Sequence, residues 1–148
     1  MTTTTLATIA DLAGQELGAS DWLVIDQERV NLFADATGDH QWIHVDVPRA
    51  TAEMGSPIAH GFLTLSLIPF LGKDILKVTD VTRGINYGLN KVRFTNMVKV
   101  GAKVRAVQKL LSAEPKAGGM MITSEVTIEI DGETRPACVA ETVSLLFA

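Results

Sequence analysis

Residues 61–76 read GFLTLSLIPFLGKDIL. Phe62, Leu63, Leu65, Leu67, Ile68, Phe70 and Leu71 carry apolar side chains nearly all the way round a helical wheel. A helix that is apolar on every side is a buried helix and must be covered on most of its surface. Pro69 has no backbone N–H to donate and should kink it. The chain beyond is patterned differently. Val92, Phe94, Asn96, Val98 and Val100 alternate with Lys91, Arg93, Thr95, Met97 and Lys99; Ile122, Ser124, Val126, Ile128 and Ile130 alternate with Thr123, Glu125, Thr127, Glu129 and Asp131. A period of two marks half-buried strands with one wet face. Asp131-Gly132 signals a hairpin, with Pro136 to Phe147 as the returning strand. A further strand, Lys103 to Leu111, precedes a loop from Ser112 to Gly119. One apolar helix followed by about four antiparallel strands is an α+β layout, and a strongly curved sheet wrapped around the helix would cover it.

Upstream, Asp21 to Asp26 (DWLVID) reads as a short strand. Asp26 is a plausible N-cap, Val30, Phe33 and Ala34 share one helical face, and Gly38 is a natural helix stop. A polar loop from Asp39 to Pro57 follows, with prolines at 48 and 57.

The 148 residues show no internal repeat and no linker, so one domain over 1–148, with its core about 15–147, is the expectation. The composition, 47% hydrophobic and 20% charged, excludes disorder as the default. A net charge of −4 gives no electrostatic footprint for nucleic acid or an anionic membrane. Cys138 stands alone, so no intrachain disulfide can form, which fits a reducing cytoplasm. The N-terminus lacks the pattern of a secretory signal, and the apolar run from Phe62 to Leu71 is too short to span a bilayer.

All three histidines, His40, His44 and His60, lie in or at the ends of the loop between the two helices. Asp39 and His44 are the sharpest pair. If the loop turns between them, a carboxylate and an imidazole can hold one water and divide its protons; the spacing alone fits a helix-terminal turn former and a surface histidine better. A metal site from Asp39, His40, His44 and Asp46 is conceivable, but no HExxH and no cysteine cluster accompanies it. His60-Gly61 opens the buried helix, where backbone N–H groups lack partners and a glycine allows close approach. That start could form an oxyanion hole or be a plain helix start, with His60 capping or packing. GxGxxG, GxxxxGK[ST] and GxSxG are all absent. Cys138 lies in a strand pattern and reads as packed. Glu141 shares strand parity with Val139 and Val143, which should point inward, and stays outside the site.

The string ATGDHQWIHVD (36–46), with PIAHGFLTLSL (57–67) placing Gly61 seventeen residues beyond His44, resembles the MaoC-like dehydratase family, the (R)-specific enoyl-CoA hydratases of the hot-dog fold. Gly38, Asp39, Ile43 and His44 match a pattern close to G-D-x-N-P-[LIV]-H, while Gln41 and Trp42 stand where Asn and Pro are common. The HQWIH variant and INYGLNKVRF (85–94) resemble the nodulation protein N-like subgroup. The resemblance implies a curved antiparallel sheet around a long central buried helix, assembled as a homodimer. It implies Asp39 and His44 as the catalytic dyad and the Gly61 N–H as the oxyanion donor. Some relatives carry a serine where this chain has Pro69, so that role is not carried over. The implied reaction is reversible addition of water to a trans-2-enoyl thioester giving the (3R)-hydroxyacyl thioester. Coenzyme A or acyl carrier protein serves as carrier, and no metal or redox cofactor is called for. A hot-dog thioesterase and a non-catalytic acyl-binding subunit are the competing readings.

Overall fold

A computed structural model describes the chain from Met1 to Ala148. Its elements are β1 (Thr2–Thr4), a 3-10 turn (Ile9–Leu12), β2 (Glu16–Ala19), β3 (Leu23–Val24), α1 (Gln27–Thr37), α2 (Trp42–Val45), α3 (Val47–Met54), α4 (Gly61–Ser66), α5 (Ile68–Gly72), β4 (Leu76–Val78), β5 (Arg83–Phe94), β6 (Lys103–Lys116), β7 (Gly119–Ile130) and β8 (Cys138–Phe147). The main sheet has the order β2-β6-β7-β8-β5, with β3 also pairing with β6, and every pairing in it is antiparallel. β1 and β4 form a separate parallel ribbon. The arrangement is α+β, with the open sheet curved against α4–α5.

The core lies between that helix and the inner face of the sheet. Leu63, Leu67 and Leu71, spaced by one turn, are buried in one apolar cluster with Val104, Ala106, Leu110, Val126, Ile128 and Ala140 of the sheet. The apolar segment is not one long buried helix. It breaks at Leu67, and Phe62 and Phe70 are 67% and 44% exposed. Pro69 explains the break: it cannot donate to the carbonyl of residue 65 and serves instead in the first turn of α5. The sheet covers one side of the helix, so the outward phenylalanines stay uncovered in the single chain.

α1 begins and ends where its caps require. The Asp26 carboxylate accepts from the Arg29 N–H at 2.9 Å, and Gly38 closes the helix at φ 80°. The expected loop from Asp39 to Pro57 instead contains α2 and α3. Asp46 caps α3 through the Arg49 N–H, and Pro48 falls in its first turn, where proline favours a helix rather than breaking one.

The strand pattern over 91–100 is displaced. β5 starts at Arg83 and stops at Phe94. It pairs only with β8, through two register shifts, so its side chains do not sort cleanly into wet and dry. Val98 is buried for another reason: its carbonyl accepts from the Ala59 N–H and ties this segment to the approach to α4. β6 runs through the loop expected at Ser112 to Gly119 and reverses at Ala117-Gly118, both with positive φ, a two-residue hairpin turn. β7 and β8 do pair, but β8 starts at Cys138 rather than Pro136. The inward parity of β8 is the even one: Cys138 and Ala140 face Ile128 and Val126. Glu141 therefore points to the outer face, where it accepts from the Asn90 amide.

Candidate active site

Asp39, His44 and His60 come from three different pieces of backbone, yet one side-chain ligand atom from each lies within 4.8 Å of the others. Gly38 turns the chain out of α1 and leaves Asp39 exposed. His44 lies on α2 and is only 6% exposed. Gln27 of α1 donates to the His44 carbonyl at 2.8 Å, fixing that turn against the first helix.

The His44 ring is held in one tautomer. Nδ1 sits 2.7 Å from the Ile58 carbonyl oxygen, which can only accept, so Nδ1 carries the hydrogen and Nε2 offers its lone pair. Burial pushes the imidazole below its usual 6.5, the Ile58 carbonyl raises it in part, His60 lowers it and Asp39 raises it. The net direction is down, so at neutral pH His44 is an uncharged base.

The sequence reads His60 as a capping or packing residue. It makes no cap hydrogen bond, and it is part of the site. Its Nε2–H donates to the Asp39 backbone carbonyl at 3.0 Å, its ring stacks on His44 at 3.7 Å, and Phe33 packs against it at 4.9 Å. Nδ1 of His60 is buried without a partner. One imidazole thus ties the Asp39 backbone to the His44 ring. The sequence marks it only by its place immediately before a helix-opening glycine, which does not separate capping or packing from positioning.

The other residues considered for a metal are engaged elsewhere. The Asp35 carboxylate holds His40 at 2.8 Å and raises its pKa, and Asp46 caps α3. Asp39, His44 and His60 could offer three ligand atoms. However, the two rings lie nearly face to face, 23° apart, and the in-plane lone pairs of stacked rings do not converge on a point about 2.0–2.1 Å from both. The arrangement suits the handling of protons on a small molecule.

Gly61 opens α4 with its N–H free of any backbone or side-chain acceptor; the first inward bonds run from Leu63 and Thr64 to the His60 carbonyl. A Cβ at this position would stand 3.1 Å from the Phe94 ring, so the glycine admits an aromatic ring and leaves its N–H bare. Gly61, His44, Thr64 and Phe94 share a cavity of about 430 Å³. Cys138 lies outside it; burial pushes its thiol up to about 11, as expected for a packed residue.

Comparison with known proteins gives a consistent picture. Residues 8–133 match the family model described as MaoC like domain. The chain is similar to 3-hydroxyacyl-thioester dehydratase Z of Mycobacterium tuberculosis, with 52% identity over 144 residues covering 94% of this chain and 95% of that protein. It is similar to nodulation protein N of Rhizobium leguminosarum, with 45% identity over 95% of this chain and 90% of the relative. The fold matches that of an unliganded R-hydratase from Pseudomonas aeruginosa, with TM-score 0.73 and 22% identity, covering 91% of this chain and 81% of the other. No helix is long and apolar enough to cross a membrane.

Proposed function

The chain belongs to the MaoC-like family of hydratases and dehydratases, and from that premise we propose that it is an (R)-specific enoyl-CoA hydratase. It adds water reversibly to a trans-2-enoyl thioester and yields the (3R)-hydroxyacyl thioester. The observation that carries the reading is the convergence of the Asp39 carboxylate and the neutral His44 imidazole within 4.8 Å, beside the unengaged N–H of Gly61.

The steps follow from the groups. Asp39 and His44 grip one water between them. His44 Nε2, the lone-pair nitrogen, takes a proton as the water oxygen bonds to carbon 3. The electron pair of the 2,3 double bond moves to carbon 2 and onto the thioester oxygen. The Gly61 N–H donates to that oxygen; one such donor is typically worth about 10²–10³ in rate. The nearby Asp39 carboxylate stabilises the transient imidazolium, and the pair then returns a proton to carbon 2. The protein ends as it began, and the scheme asks for no metal or redox cofactor. Coenzyme A or acyl carrier protein is the carrier.

The proposed assembly is a homodimer. β5 is a twelve-residue edge strand with Ile85, Tyr87 and Leu89 exposed and no partner on its outer side, the kind of edge that a second copy covers. Light scattering should find twice the 15.9 kDa chain mass.

Crotonyl-CoA is the direct test of the reaction. Loss of enoyl absorbance without free thiol is the hydratase outcome, whereas thiol release is that of a thioesterase. Coupling the product to dehydrogenases specific for each 3-hydroxy enantiomer reads the handedness, and oxidation by the (3S)-specific enzyme would overturn the assignment.

A further inference from the structure

A second cavity, of about 590 Å³, lies further along the same helix. That volume is in the range of small-molecule sites. Leu65 and Ile68 of α4–α5 form one wall, Asn86 to Leu89 of β5 another, and the inner faces of β6, β7 and β8 the floor. The helix and β5 run in opposite directions. Gly61 meets Phe94 at the dyad end of the seam between them, and Ile68 to Gly72 flank residues 86–89 at the other. Leu65 stands one turn beyond Gly61, about 6 Å along the axis. The acyl chain of a thioester held at Gly61 would extend along this seam, past the Phe94 ring, toward the cavity.

The floor changes character at the cavity. Nearer the dyad, the cross-strand pairs are apolar, Ile128 with Cys138 and Val126 with Ala140. Under the cavity they become Ser124 with Thr142 and Ile122 with Ser144, and Asn86 of β5 stands opposite Ser144. Ser124 is 2% exposed, and Gln108 donates to its hydroxyl oxygen at 3.0 Å, leaving the hydroxyl hydrogen to give. The other amide atom, Gln108 Oε1, lies beneath the helix, 3.8 Å from where a Cβ on Gly72 would be. The Thr142 hydroxyl donates to the Ser124 carbonyl at 3.5 Å, so the hydrogen-bonding capacity left on the floor is the Ser124 hydroxyl hydrogen, the Ser144 hydroxyl and Gln108 Oε1. The floor carries no charge. The one charged lining residue, Lys73, rests its Nζ 4.1 Å from the Phe70 ring.

We propose that this cavity receives the distal part of the acyl chain and selects a chain bearing a neutral oxygen substituent, hydroxyl or oxo, over a plain alkyl chain of equal length. The inference rests on the hydratase reading above. Ser124 supplies a donor to the substituent oxygen, and Gln108 Oε1 can accept from a hydroxyl. A plain alkyl chain would strip these groups of water and return nothing, a mismatch that sites built for hydrogen bonding punish heavily.

The experiment compares kcat/KM for crotonyl-CoA, trans-2-octenoyl-CoA and its 7-hydroxy and 7-oxo derivatives. The wild type should favour at least one oxygenated octenoyl substrate about tenfold or more over the plain one. Which derivative gains identifies the substituent. Ser124→Ala and Gln108→Leu should each shrink that ratio and leave crotonyl-CoA turnover unchanged, because its short chain does not reach the floor. Gln108→Leu, at a half-buried position, carries the test should the buried Ser124 variant fold poorly. Crotonyl-CoA turnover with equal or greater preference for plain octenoyl-CoA overturns the inference alone, as does an unchanged ratio in the folded variants. Absence of any crotonyl-CoA hydration overturns the parent reading, and this one with it.

Discussion

Replacing His60 by Phe isolates what the second histidine does. Phenylalanine keeps a ring between Phe33 and His44, where His60 now stacks at 4.9 and 3.7 Å, but it removes the Nε2–H that holds the Asp39 carbonyl at 3.0 Å. One net hydrogen bond is worth about 0.5–1.5 kcal/mol. The freed carbonyl belongs to an exposed residue and can turn to water, so the cost should sit at the low end. For a domain of this size that is a fall in Tm of roughly 2–4 °C per kcal/mol. The catalytic loss should be larger than the loss of stability. Asp39 is otherwise tied by two long bonds, its carboxylate accepting from the Gln41 N–H at 3.4 Å and its own N–H donating to the Thr37 hydroxyl at 3.5 Å, and a displacement of about 1 Å at a reacting group costs about 10²-fold in rate. Because the dyad handles water rather than the carrier, kcat should fall while KM stays near its wild-type value. A second readout separates this role from packing. His60 is one of the influences that lower the His44 pKa, so in His60→Phe the acid limb of the pH–rate profile should move up toward 6.5. His60→Gln, whose amide N–H can reach the same carbonyl, should recover part of kcat. Wild-type kcat together with an unmoved acid limb in a folded His60→Phe enzyme would refute the reasoning.

Asp39→Asn and His44→Gln should each lower hydration by several orders of magnitude with the fold intact by circular dichroism. The double variant should be little worse than either, because the two groups act on one water; full activity in either single variant removes the dyad. Gly61→Val should abolish activity because its side chain meets the Phe94 ring at 3.1 Å and crowds the N–H, and Phe94→Ala in that background should restore folding stability more than rate. His44 binds its proton less readily folded than unfolded, so between its lowered folded pKa and 6.5 the unfolded chain holds more protons. Stability should therefore be full above 6.5 and decline as the pH falls through that window, and thermal melts of His44→Gln should lose this part of the acid sensitivity.

The parts legible in the sequence are those that local chemistry controls. Asp26 and Gly38 bound α1 because capping is decided within a few residues, and the inward pattern of β7 holds because its strand has a neighbour on each side. The illegible parts depend on what lies across space. Pro48 reads as a loop former until Asp46 is seen to cap α3, and β5 loses its alternation because nothing pairs with its outer edge. The parity of β8 misleads because Val143 and Leu145, of the outward parity, are buried as well as the inward row of Cys138 and Ala140.

The candidate site follows the same division. Asp39, His44 and Gly61 could be marked as candidates because their short strings resemble the family pattern; the helix stop, turn and helix start by themselves fit ordinary structural roles as well. His60 could not, because its meaning lies in a hydrogen bond to a residue twenty-one positions away and in a ring stacked across another loop. A periodicity argument assigns a buried histidine to packing by default, and burial at 3% is what that default expects. What overrides it is that a buried imidazole donating to a backbone carbonyl has its ring orientation fixed, and a fixed ring stacked on His44 fixes the His44 ring in turn. Positioning groups of this kind carry no motif of their own, because what they supply is the geometry of another residue.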